Sequence, residues 1–248
     1  MATANPAMNE AVYQRAGFAD SPTSVMTLDG TVLKTAILMV ILVAAAVCTW
    51  SPGVAASGLT NGLLIGGSLG GFAIALLTIF VPLLSPFTAP VYAGLEGLAL
   101  GGISTLFEQR YPGIAIQAVG LTFGVLTVML GVYATRIVRV TEKFKIGVVA
   151  ATGAVCLVYV VEFVASFFGV RIPYIHESGM WGIGFSLVVV VIAALNLILD
   201  FDFIEQGVKR QAPKYMEWYG GFSLMVTLVW MYLEILRLLA KTRGGSRN

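Results

Sequence analysis

The stretch LILDFDFIE, residues 197–205, ends a long apolar run with three acidic residues. A second apolar run, VWMYLEILR at residues 229–237, encloses another acid. A carboxylate in an apolar membrane helix is energetically costly, so it usually has a partner or a function. Asp200 and Glu234 are therefore the first candidates for a functional pair of carboxylates on neighbouring helices.

The composition is that of an integral membrane protein. Of the 248 residues, 58% are hydrophobic and only 11% are charged, whereas soluble domains carry about 25% charged residues. The net charge is +2, and no basic run is present, so we expect the lipid bilayer and no nucleic acid as a partner. Two scattered cysteines and one histidine provide neither a disulfide framework nor a zinc site.

Seven apolar runs have about the ~20 residues that cross a bilayer. They predict an all-α membrane protein with seven transmembrane helices, and a chain divided into a polar, disordered N-terminal tail (1–30), a transmembrane domain (31–241) and a short basic tail (242–248). The tail at 1–30 is too long and too acidic for the start of a cleaved signal peptide. The predicted spans are 31–50, 61–84, 89–107, 113–138, 146–168, 179–203 and 219–240.

Lysine and arginine concentrate in two of the predicted loops. The positive-inside rule places these loops, and with them the N-terminus, in the cytoplasm. Seven spans then put the C-terminus outside, although the last residues are basic. The basic residues of loops 4–5 and 6–7 are Arg136, Arg139, Lys143, Lys145, Lys209, Arg210 and Lys214.

Glycines recur at four-residue spacing in spans 2 and 3. The pairs Gly66/Gly70, Gly67/Gly71 and Gly97/Gly101 allow helix backbones to approach closely. We favour tight internal packing over an oligomer seam as their role. Pro82 predicts that span 2 bends or ends near that residue.

Three further polar residues are candidates. Glu96 lies between glycines inside span 3, so it should face the bundle interior, where it lines a polar pathway or pairs with an arginine. Asn196 precedes Asp200 by one helical turn and shares its face. Asp202 follows Asp200 at the predicted cytoplasmic edge.

The acids allow two interpretations. If Asp200 and Glu234 meet, they cannot both ionise cheaply, and the pair titrates as a unit. The protonated pair would lock two helices, and the ionised pair would admit a cation. Alternatively, Arg237 neutralises Glu234 from one turn away, and Asp200 and Asp202 are acids solvated by lipid headgroups. Because Glu234 lies ~22 Å into span 7, direct contact requires span 6 to end later than predicted or span 7 to start deeper.

Motifs of known enzyme classes are absent. The chain contains no HExxH, no GxSxG and no phosphate-binding loop, each of which would place catalytic groups in a defined geometry. A GxGD motif of aspartyl intramembrane proteases is absent as well. We therefore expect a protein that is not an enzyme and has no cofactor.

Three short motifs, in this order, resemble the Bax inhibitor-1 family, in particular its bacterial seven-span branch. EGLALG at 96–101 is similar to the corresponding stretch of span 3 in the bacterial branch. LILDFDFI at 197–204 is similar to the family's I-L-Y-D-x-x-x-I, and YLE at 232–234 is similar to its Y-L-D. The resemblance covers about residues 31–240.

The resemblance implies a fold of two three-helix layers around a central seventh helix. It also implies a pH-sensitive calcium leak governed by a di-aspartyl pair, and so calcium as the permeant ion. The two acids of that pair correspond to Asp200 and Glu234, which would then hold calcium transiently, with Glu234 one methylene longer than the family's aspartate.

Some bacterial members of the family are described instead as interaction proteins. This alternative implies a regulator that docks on a membrane-bound quality-control protease or a stress complex, in which the tail at 1–30 matters more than the acids. Either function implies a multi-pass protein of a bacterial inner membrane. Ion selectivity, the partner and the oligomeric state stay open at this point.

Overall fold

The structure, a computed structural model, describes residues 25–50, 58–168 and 179–245. These ranges form seven α-helices, one for each predicted span, so the predicted all-α architecture is confirmed. Most of the predicted N-terminal tail, and the end of the chain from residue 246, lie outside the described residues. The helices are α1 (Leu28–Trp50), α2 (Thr60–Phe80), α3 (Ser85–Arg110), α4 (Ile114–Ala134), α5 (Glu142–Phe167), α6 (Met180–Lys209) and α7 (Met216–Gly245).

The helix ends follow local chemistry as well as hydropathy. As predicted, Pro82 ends α2, which stops at Phe80 and is followed by a 3₁₀ turn, because proline has no amide to continue the helical hydrogen bonds. The hydroxyl of Thr141 caps α5 by accepting a bond from the amide of Phe144 at 3.3 Å. In contrast, α6 and α7 extend beyond the predicted spans. α6 continues to the exposed Lys209, and α7 begins with the buried residues Met216 and Glu217.

Six of these seven helices are long and apolar enough to span a membrane, and α3 is the exception. Of its 26 residues, 12 are buried, so α3 is covered by protein and needs less apolar surface. In α7, 67% of the apolar stretch is buried, against 17–44% in the other five candidate spans. High burial is what the resemblance implies for the seventh helix.

The chain forms two compact units that share the two longest helices. The first unit contains α1 to α3, the part of α6 from Asp200, and α7 as far as Val226. The second unit contains α4, α5, α6 as far as Leu199, and α7 from Thr227.

In the first unit, α3 packs against α1 and α2 through glycines. A Cβ atom at Gly97 or Gly101 would overlap the backbone carbonyl oxygens of Leu42 and Ala46 on α1. A Cβ atom at Gly67 of α2 would lie 2.6 Å from a carbonyl oxygen of α3. Internal packing is thus confirmed as the role of Gly67, Gly97 and Gly101, whereas a Cβ atom at Gly66 would meet nothing within 4 Å.

The start of α7 is fastened to the start of α1 by Glu217. Its carboxylate accepts hydrogen bonds from the amide of Thr27 at 3.1 Å and from the Thr27 hydroxyl at 2.9 Å. The ammonium of Lys34 lies 3.5 Å away. A Cβ atom at Gly30 would overlap the carboxylate, so this approach requires glycine. Two donors and one cation offset the cost of burying the Glu217 charge.

Two further contacts at this end of the first unit bring together the starts of α1, α3 and α7. The amide of Met26 donates to the carbonyl of Ala212 at 2.7 Å, and the hydroxyl of Ser85 donates to the carbonyl of Tyr215 at 3.0 Å. α1, α3 and α7 therefore begin side by side and run in the same direction.

In the second unit, the end of α7 lies beside the starts of two other helices. Lys241 of α7 donates to the carbonyl of Gly182 in the first turn of α6 at 3.1 Å. Arg243 donates to the carbonyl of Pro112 at 2.9 Å and to the side chain of Gln117 on α4 at 2.7 Å. α4 and α6 thus run opposite to α7, which is the alternation that successive membrane crossings produce.

Replacing Gly97 by alanine should destabilise the protein. The added methyl group would overlap α1 and force the two helices apart, at a cost of roughly 1–3 kcal/mol. We expect a lower midpoint of thermal unfolding in detergent. Gly124→Ala on α4, where nothing lies within 4 Å of the added atom, is the matched control, and equal stability of the two variants would contradict the packing role.

Replacing Glu217 by alanine should be more damaging. It would leave Lys34 and the Thr27 donors without their acceptor, which for a broken buried pair costs roughly 3–5 kcal/mol, and Glu217→Gln should cost less because an amide oxygen can still accept from Thr27. Thermal unfolding in detergent measures both. Glu142→Gln, at the equivalent first turn of α5 but 53% exposed, should stay close to the unmodified protein; a Glu217→Gln variant no less stable than this control would refute the fastening role.

Candidate functional site

Glu234 is a buried carboxylate in the middle of α7. Its side chain is 1% exposed, and one of its oxygens, Oε1, accepts two hydrogen bonds. The hydroxyl of Tyr159 on α5 donates at 2.7 Å, and the guanidinium of Arg237 donates at 2.8 Å. The other oxygen, Oε2, has no hydrogen-bond partner within residues 25–50, 58–168 and 179–245.

Arg237 completes a three-residue arrangement around that carboxylate. Its guanidinium carbon lies 5.3 Å from the centre of the Tyr159 ring, a distance at which cation and ring attract. The predicted pairing of Arg237 with Glu234 from one turn away is therefore confirmed. Because the Arg237 side chain is 44% exposed, it can leave Glu234 more readily than a fully buried partner could.

Asn196 lies in the second unit, on the part of α6 that packs against α5. Its amide nitrogen donates to the hydroxyl of Thr152 at 2.8 Å and to the carbonyl of Ile192 at 2.8 Å. Asn196 thus joins α6 to α5 by a buried hydrogen bond between side chains, and its place in an ion pathway stays a prediction.

Asp200 and Asp202 lie in the first unit, and both are buried, with Asp200 1% exposed and Asp202 9% exposed. This burial does not fit the interpretation of Asp200 as an acid solvated by lipid headgroups. The helix continues for nine residues beyond Asp200, to Lys209; residues 201–204 are buried, whereas Lys209 is exposed.

The packing of α6 on α7 in the first unit sets the level of Asp200. A Cβ atom at Gly220 would lie 3.2 Å from the side chain of Ile204. The two helices run in opposite directions, so Asp200, four residues before Ile204, is level with Leu224, four residues after Gly220. Glu234 is ten residues further along α7, which is ~15 Å of helix. The predicted pairing of Asp200 with Glu234 stays a prediction, since Asp200 belongs to the first unit and Glu234 to the second.

Glu96 lies where α3 packs against α2. Its Oε2 atom is 2.8 Å from the position that a Cβ atom would take at Gly71, so the carboxylate uses the space left by the glycine. This agrees with the predicted inward orientation. No lysine or arginine in the described part of the chain forms an ion pair with Glu96, and a role in a polar pathway stays a prediction.

The sequence analysis did not single out two buried charged residues, Glu217 and Lys241, or the half-buried Lys34. Glu217 lay in the predicted loop between spans 6 and 7, and Lys241 lay at the end of the predicted transmembrane domain. The available signals were the acid in the first turn of α7, which suits a helix N-terminus, and the spacing of Arg237 and Lys241, which puts both on one face of α7.

The described residues contain no cluster of acidic, histidine and cysteine side chains that could bind a metal ion. Among the described residues, no group of three or more histidine, cysteine, aspartate or glutamate side chains could hold a metal ion. Glu234 with Tyr159 and Arg237 is therefore the best-defined buried acidic site, and Asp200 is a separate buried acid in the other unit.

The sequence comparisons agree with the helical architecture. The family described as "Bax inhibitor 1 like" matches residues 4–244, nearly the whole chain. A search among curated proteins finds no match. Because the family match covers far more than half of the sequence, and seven helices occupy the positions of the predicted spans, the chain belongs to the Bax inhibitor 1-like family of membrane proteins.

Proposed function

We propose that the protein is a proton-regulated cation leak channel with calcium as the permeant ion. Glu234 is the carboxylate whose charge regulates the leak, and Asp200 is a second acid that contributes to it. The observation that carries the proposal is the buried carboxylate of Glu234, in which Oε1 accepts two hydrogen bonds and Oε2 accepts none from the described residues.

The chemistry follows from the charge of that carboxylate. When ionised, Glu234 attracts Arg237 and can also attract a passing cation through Oε2; when protonated, it loses most of its attraction for either. The charged and titratable groups that act on it are Tyr159, Arg237 and Lys241, and Lys241 in turn interacts with Glu162. We therefore propose that the leak is larger when the Glu234 carboxylate is ionised than when it is protonated, and so increases with pH.

Calcium as the ion, and pH as the signal, come from the resemblance to the seven-span members of the family. Asp200 and Glu234 need not touch in this proposal, since each can change the local potential for a cation in its own unit. A functional coupling between them is tested by the double variant, which should differ from the sum of the two single effects if the acids act together.

Calcium flux into proteoliposomes, measured between about pH 6 and about pH 8, tests the proposal. We expect flux that increases with pH in the unmodified protein and a flat, low profile in Asp200→Asn and Glu234→Gln. The control Glu142→Gln, which removes an exposed acid, should keep the full dependence. Flux no greater than that of empty liposomes at every pH would reject the channel and favour the interaction protein, whose partner a crosslinking search would then seek.

Tyr159→Phe should move the pH profile without abolishing it. The Tyr159 hydroxyl donates a hydrogen bond to Glu234 that stabilises the ionised carboxylate, so its removal should shift the flux profile to higher pH. Tyr219→Phe on α7 is the matched control, because the Tyr219 hydroxyl has no hydrogen-bond partner among the described residues. An unchanged pH profile in Tyr159→Phe would show that this hydrogen bond does not contribute to the pH dependence of the leak.

A further inference from the structure

We propose that the ammonium group of Lys241 is a tethered plug in a cation site that oxygen atoms of α6 line and that carboxylates of α5 and α7 make more negative. Removing this ammonium group would open the site to a metal cation. The inference rests on the proposed function, because it names the group that limits the leak.

Lys241 is buried although it lies near the end of α7, with 9% of its surface exposed. Its Nζ atom donates to the carbonyl oxygen of Gly182 at 3.1 Å and to the hydroxyl oxygen of Ser186 at 2.7 Å. Both oxygens are neutral and belong to the first two turns of α6. The ammonium is thus a cation whose contacts include a backbone carbonyl and a hydroxyl oxygen of α6.

Two carboxylates act on the same ammonium. Lys241 interacts electrostatically with Glu234, seven residues earlier on α7, and with Glu162 of α5. Carbonyl, hydroxyl and carboxylate oxygens together are the ligands that calcium and other hard cations take. The oxygen set around Lys241 therefore has the chemistry of a cation site in which a side chain supplies the cation.

The charges of this cluster, defined as Glu162, Glu234, Arg237 and Lys241, sum to zero when all four are ionised. Arg237 repels Lys241, so the two basic groups are held together by the two acids. Replacing Lys241 by a neutral residue leaves the cluster with one net negative charge in a region of low dielectric, where attraction for a mobile cation is strong. A free cation can then take the place of the ammonium.

Terbium is a suitable probe, because it replaces calcium at oxygen sites and its luminescence is excited by nearby aromatic rings such as Tyr159. We would titrate terbium into the purified full-length protein in detergent and compare Lys241→Gln and Lys241→Met with the unmodified chain. The control Arg243→Gln removes a basic group two residues away whose partners are Pro112 and Gln117. The double variant Lys241→Gln/Glu234→Gln removes the carboxylate as well.

Both Lys241 variants should bind terbium on the order of tenfold more tightly, as expected from the loss of one like charge. Arg243→Gln should match the unmodified protein, and the double variant should lose the gain. Calcium flux in proteoliposomes should increase by a similar factor in the Lys241 variants only. Two replacements of different polarity are used, so that a folded sample of either one is sufficient.

The outcomes separate this inference from the proposed function. Tighter terbium binding without flux in any variant would support the cation site and reject the leak. Flux in the unmodified protein, with neither tighter binding nor faster flux in folded Lys241 variants, would overturn the plug and leave the leak intact. Equal gains in Arg243→Gln and Lys241→Gln would also overturn the plug, because the effect would then come from surface charge alone.

Discussion

The need to compensate buried charge on α7 organises much of this structure. Three charged residues along the helix are buried, and each contacts a different neighbour. Glu217 contacts Thr27, just before α1, and Lys34 of α1. Glu234 contacts Tyr159 of α5, and Lys241 contacts the first turns of α6. In a membrane an uncompensated charge costs several kcal/mol, so these contacts fix which helices adjoin α7 and at what level. The same contacts make α7 the most buried of the candidate spans.

Much of the architecture could be predicted from the sequence, because hydropathy reports on the bilayer itself. All seven spans correspond to helices, Pro82 ends α2, and the glycines Gly67, Gly97 and Gly101 pack against neighbouring backbones. The pairing of Arg237 with Glu234 could also be predicted, since it depends only on helical spacing within one segment. These features are local, or follow from the apolar surroundings of the whole chain.

The rest depends on contacts between distant segments. Glu217 and Thr27 are 190 residues apart in the sequence, and the local pattern around Glu217 indicates a helix start but not the partner that buries the acid. α6 and α7 were predicted too short because polar residues near their ends suggested a membrane surface, whereas three of them, Asp202, Glu217 and Lys241, are buried. The level of Asp200 relative to α7 likewise depends on how Ile204 packs against Gly220. A hydropathy pattern does not predict such a contact between helices.

The central claim is that Glu234 changes its protonation state inside the folded protein. Infrared difference spectroscopy in lipid, comparing acidic with neutral buffer, tests it most directly through the stretching band of a protonated carboxyl group. The account predicts a band that appears on acidification in the unmodified protein and is missing from Glu234→Gln, while Glu142→Gln retains it. The same band change in the unmodified protein and in Glu234→Gln would contradict the account, because the proton would then bind elsewhere.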